Sequence, residues 1–135
     1  ATTTNLSQYT LPADALNAAG DSIAFRAYGS AASISNRVQV VFGSETILDT
    51  GNRVNGTAAE GWTAHGRITR ISATSQHATA TFMGLGTPSG TNVSLFLSQT
   101  CSVATVLKTM GGSSTNATLT NQLFIVEYLP SYNPQ

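Results

Sequence analysis

Charge is scarce in this chain. Its 135 residues carry six basic and six acidic side chains, so charged residues make up 9% and the net charge is zero; about 25% is usual for a soluble domain. A nucleic-acid partner leaves a basic footprint and none is present, so nucleic-acid binding is not expected. The same shortage removes the electrostatic reason to dock on an anionic membrane. No apolar run approaches the roughly 20 residues that a spanning helix needs, so no membrane insertion is expected. Cysteine is reduced to Cys101, which has no partner for an intrachain disulfide. In "SQTCSVATVL" it reads as a buried thiol acting as a small hydrophobe.

The residues of chemistry are as sparse. His65 and His77 stand twelve apart with no HxH, CxxC or HExxH pair, so no metal site is assigned within one chain. A site built by symmetry, with one histidine presented three times at a three-fold axis, is the separate route left open. GxxxxGK[ST] is missing, so no phosphate loop is expected, and GxSxG is missing too. The six carboxylates are Asp14, Asp21, Glu45, Asp49, Glu60 and Glu127. A glycan hydrolase would need two of them across one cleft, whereas their local settings read as turn, cap and solvent positions. No catalytic, cofactor-binding or metal-binding residue is assigned, no cofactor is expected, and the chain is expected not to be an enzyme.

What the chain does have is alternation. Apolar residues make up 41%, and the scaling law for a chain of this mass leaves roughly 6,700 Å² exposed of about 20,000 Å² unfolded. That is enough burial for one core without staples. "GDSIAFRAYG" points Ile23, Phe25 and Ala27 one way and Ser22, Ala24, Arg26 and Tyr28 the other. "RVQVVFG" and "GWTAHGRITRIS" repeat the period of two, the second with Trp62, Ala64, Gly66, Ile68 and Arg70 on one face. "LPADALNAAGD" is the one short helix or turn candidate, opened by Pro12 and stopped by Gly20. Turn signals at "GNRVNG", "LGTPSGTN" and "MGGSSTN" separate the rest. Eight or nine short strands and no crossover helix predict an all-β, antiparallel sandwich. Residues 1–8 read as a polar arm, 9–130 as the sandwich and 131–135 as a tail. Trp62 and Phe25, Phe42, Phe82, Phe96 and Phe124 are expected in the core, and Tyr28, Tyr128 and Tyr132 suit subunit contacts, with a carbohydrate-binding platform as the other use of such rings. The arginines read as mainly solvent-facing.

In order, "YTLPADALNAAGDSIAFRAYGSAA", "RVQVVFGSETIL", "GWTAHGRITRIS" and the closing "NQLFIVEYLP" resemble a module common in virion proteins of tailed phages. The likeness covers nearly the whole chain. Gly20–Asp21 with Ile23, Phe25 and Tyr28 match its first core strand, Phe42–Gly43 the second, Trp62 and Arg70 the third, and Val126–Glu127 the last. Tyr28 stands where tryptophan is frequent. The resemblance implies a jelly-roll-like sandwich of about eight strands, commonly trimeric, found in capsid decoration proteins, head fibres and tail-fibre or spike heads. It supplies no catalytic residue. The expectation is therefore a bacteriophage virion structural protein: a homotrimer on the outer capsid surface that decorates or cements the shell against major capsid protein subunits. The short polar start, "ATTTNLSQ", then reads as an arm into a groove or across a neighbour. The alternative is the receptor-binding head of a viral fibre or spike, recognising a host-surface glycan or protein.

Overall fold

The computed structural model describes residues 3–31, 35–54, 60–85, 90–113 and 119–131. Ten strands and no helix occur among them. They are β1 (Thr4–Leu11), β2 (Ser22–Ala31), β3 (Ser35–Phe42), β4 (Glu45–Asp49), β5 (Arg53–Val54), β6 (Glu60–Ser72), β7 (Ser75–Gly84), β8 (Gly90–Leu97), β9 (Thr105–Ser113) and β10 (Leu119–Leu129). One sheet runs β1–β9–β3–β4, with the two-residue β5 also on β3; the other runs β10–β2–β6–β7–β8. Every pairing is antiparallel. The chain is thus an all-β sandwich, and its 6826 Å² of exposed surface is close to what the scaling law gives for a compact chain.

The alternation seen in the sequence becomes the inner face. Phe25, Trp62, Ile68 and Phe82 of the second sheet meet Val38, Val40, Phe42 and Leu107 of the first, all essentially buried. Large rings fit between sheets because glycines stand opposite them. Phe25 pairs with Gly66 and Trp62 with Gly29 and Gly84. A Cβ at Gly29 would lie 2.4 Å from Trp62 Cε2 and 1.9 Å from the Thr120 carbonyl, and one at Gly66 would lie 2.8 Å from Phe25 Cζ. Trp62 also stacks on Phe82, centroids 6.0 Å apart.

Several expectations shift. β1 begins at Thr4, so residues 4–8, read as part of an arm, pair with β9, and Leu6 packs on the core. Of the two readings of the stretch after β1, the turn holds over 12–20 and the helix does not, because the Asp21 carboxylate accepts from the Asn17 and Ala18 N–H groups at 3.0 and 2.9 Å and so takes donors that a helix would direct to carbonyls. Cys101 lies in the turn before β9, half-buried rather than starting a strand. β9 continues through Gly111 and Gly112, part of a stretch read as a separator. At Gly111 a Cβ would meet Leu119 and Leu6 at 2.2 and 2.7 Å, so this glycine makes room for two leucines rather than breaking the strand. In β4 both Ile47 and Leu48 are buried, since the register slips between Val40 and Val41 of β3. Phe96 is 73% exposed on the outer face, because Val93, Leu95 and Leu97 of β8 take the inner positions. Phe124 is only partly buried against the core.

Candidate functional site

The histidines do not meet. His65 lies opposite Thr81, and His77 lies opposite Thr69, four positions further along β6, which is about 13 Å at strand rise. His77 bonds Ser94 Oγ at 2.9 Å and sits 5.3 Å from the Phe96 ring. Cys101 Sγ accepts from Gln76 Nε2 at 3.3 Å. No group of three metal-ligating side chains occurs among the described residues.

The carboxylates are dispersed, and three are committed to holding strands. Asp21 ties three segments together: besides Asn17 and Ala18 it accepts from Ser131 N at 2.8 Å and Tyr128 OH at 3.1 Å. The Ser131 and Ala18 N–H groups hold its carboxyl well below the usual range. Glu45 accepts from Ser98 N at 2.8 Å and Gln99 Nε2 at 2.6 Å; burial raises its pKa, but these bonds outweigh burial and leave it lowered. Asp49 takes a two-pronged contact from Arg37, which lowers its pKa to about 2. Glu127 lies exposed in β10, Glu60 exposed at the start of β6, and Asp14 exposed in the β1–β2 connection.

Two arginines depart from the solvent-facing reading. Arg70 Nη1 donates to the Leu16 carbonyl at 2.7 Å, pinning the β1–β2 connection to β6. Arg53 is buried, with its guanidinium 5.4 Å from the Phe82 centroid and bonded to Thr91 Oγ1. Among the described residues its Nε and Nη1 find no acceptor, and burial lowers its pKa.

Two surfaces remain with side chains unspent. The first is the outer face of the β10–β2–β6–β7–β8 sheet. Strand register lines up Leu123, Tyr28, Thr63 and Met83 in one row, and Ile125, Arg26, His65, Thr81 and Asn92 in the next. Leu123, Ile125, Tyr28, Met83 and, further along, Phe96 are all exposed. The glycines that accommodate Trp62 leave a shallow dish of about 400 Å³ between Tyr28 and Met83. An apolar cluster of this kind in so sparsely charged a chain suits contact with another protein surface.

The second surface is the flank where the edge strands β1 and β10 approach each other. Ser7 Oγ bridges it by bonding Thr109 Oγ1 at 2.6 Å and Asn121 Oδ1 at 2.8 Å. Nearer the β1–β2 connection the flank opens into a groove of about 450 Å³ with Tyr9 on one edge strand and Tyr128 on the other. Both rings are exposed. Tyr28 and Tyr128 therefore lie where subunit or ligand contacts could use them, while Tyr132 lies outside the described residues. Tyr9 stands in no catalytic or binding motif of the sequence. Its signal is a polar-tipped ring in step with the core residue Leu11, on a strand that proves to be an edge. Comparison with protein-family models, curated proteins and solved structures finds no match to this chain.

Proposed function

We propose that this chain is a bacteriophage virion structural protein: a non-catalytic, jelly-roll-like module that forms a homotrimer and decorates or cements the outer capsid surface against major capsid protein subunits. The observation that carries the reading is the outer face of the second sheet, where Leu123, Tyr28, Met83 and Ile125 stand exposed in adjoining rows. Five strands about 4.8 Å apart, paired over about eight residues, make a face of roughly 600 Å² in projection. That approaches the about 800 Å² per partner of a stable interface. The face also carries the exposed Arg26, Arg67 and Glu127, which the partner surface would have to pair, since a buried unpaired charge opposes association. The jelly-roll form is supported by the return of β10 beside β2 after β6, β7 and β8 have been laid down, a Greek-key-like path. Contact with several shell subunits would stabilise the assembled state by mass action.

The test is native mass by light scattering. A value near three times the 14.0 kDa chain mass supports the assembly, and a strict monomer at working concentration removes it. The second reading, a receptor-binding fibre or spike head, is favoured by the tyrosine-lined groove at the β1/β10 flank.

A further inference from the structure

We infer that the groove between Tyr9 and Tyr128 binds a neutral saccharide unit, one ring face against tyrosine and the hydroxyls on Asp14 and Asn17. This inference deepens the second reading above, for which the groove is the recognition site, and it does not depend on the trimer.

The groove arises from how the sandwich closes. Tyr9 and Tyr128 occupy inner-face positions, since Tyr9 pairs with Leu107 and Tyr128 with Ile23, both core residues. On edge strands those positions are not roofed, so the rings wall a cleft floored by Leu11, Ile23 and Val126. Its volume falls in the range of small-ligand sites, about 300–1,000 Å³.

One wall is held in place before any ligand arrives. The Tyr128 hydroxyl donates to Asp21, whose carboxylate is itself fixed by the N–H groups of Asn17, Ala18 and Ser131. A ring held this way loses little freedom on binding. The polar groups at the rim are unspent. The side chains of Asp14 and Asn17 have no hydrogen-bond partner among the described residues, although the Asp14 N–H is anchored to the Cys101 carbonyl at 2.9 Å. Asp14 also has φ +62°, a left-handed turn conformation that aspartate tolerates.

The chemistry narrows the occupant. A phosphate or other anion meets the Asp14 carboxylate and no cationic side chain in the lining. A metal ion finds a single carboxylate. A purely apolar ligand leaves the hydrogen-bonding capacity of Asp14 and Asn17, both exposed at the rim, unused. A quaternary ammonium favours an enclosing cage of rings, whereas here two rings flank an open cleft. A pyranose has an apolar C–H face for a tyrosine and hydroxyls that both donate to a carboxylate and exchange bonds with an amide.

The test is saturation-transfer NMR on the full chain with a panel of neutral hexoses, deoxyhexoses and N-acetylhexosamines, as mono- and trisaccharides, beside tetramethylammonium. Expected is transfer to ring C–H protons of at least one sugar, with millimolar affinity weakened about tenfold in Tyr9→Ala and in Asp14→Asn, roughly the loss of one contact. Both positions are exposed, and Trp62 fluorescence checks that the variants are folded. Silence across the sugar panel overturns the inference, as does binding of tetramethylammonium alone or sugar binding untouched by both substitutions. Light scattering on Tyr9→Ala separates this from the assembly reading: an unchanged native mass is expected, and a changed mass makes the groove a subunit contact and overturns the site.

Discussion

The ring-against-glycine packing between the sheets makes Gly29→Ala the most informative single substitution. The added methyl would sit 1.9 Å from the Thr120 carbonyl and 2.4 Å from Trp62 Cε2. Neither neighbour is the free end of a flexible chain. One is backbone of β10, and the other is a buried indole stacked on Phe82. Overpacking of a core costs about 1–3 kcal/mol, and two such contacts at once place this change at about 3 kcal/mol. Unfolding entropy of about 2.1 cal/mol/K per residue makes 1 kcal/mol worth about 3.5 °C in a chain of this length, so Tm should fall by about 10 °C. Gly51→Ala is the matched control. It has φ +62° but nothing within 4 Å of the new Cβ, so only backbone strain of about 1 kcal/mol is added. Urea unfolding followed by Trp62 fluorescence reads both. A Gly29→Ala protein within about 0.5 kcal/mol of wild type, or no worse than Gly51→Ala, would refute the packing argument.

Asp21 and Asp49 both have folded-state pKa values below their unfolded ones, so the unfolded chain takes up protons first as the solution is acidified. Their contribution to stability should be complete above about pH 4, with that of Asp49 fading as pH falls towards about 2 and that of Asp21 persisting to lower pH; urea midpoints below about pH 4 should show it, and Asp21→Asn with Asp49→Asn should flatten the slope. Arg53→Met should alter stability by no more than about 1 kcal/mol, since it removes a buried cation with no carboxylate partner among the described residues; a loss of several kcal/mol in the urea midpoint would show that the guanidinium holds the β5 end together. Phe96→Ser should leave monomer stability within about 0.5 kcal/mol, whereas Leu123→Lys with Met83→Lys should lower the native mass, and an unchanged mass would move the interface elsewhere.

The period of two was enough to place most of the sandwich in the sequence, because a strand buried on one face writes its burial at every second residue. Trp62, Ala64 and Ile68 were legible for that reason, and so was Phe25. Where the pattern misled, another physical demand had used the same residue type. Gly111 looks like a strand breaker but clears space for Leu6 and Leu119. Phe96 looks like core, yet its neighbours Leu95 and Leu97 already hold the inner parity. Arg53 looks solvated but lies over Phe82. The groove was the least legible feature. Tyr9 and Tyr128 are 119 residues apart, and only the pairing of β1 with β9 and β10 with β2 sets them on facing edges. Sequence reading resolves strands far better than which of them become edges.

Cryo-electron microscopy of the intact particle carrying this protein tests the assembly most directly. Three-fold clusters of the sandwich are expected, repeated regularly over the shell, with the outer face bearing Tyr28, Met83 and Leu123 buried against a neighbour. Copies confined to a tail or fibre tip, with that face open to solvent, would contradict it.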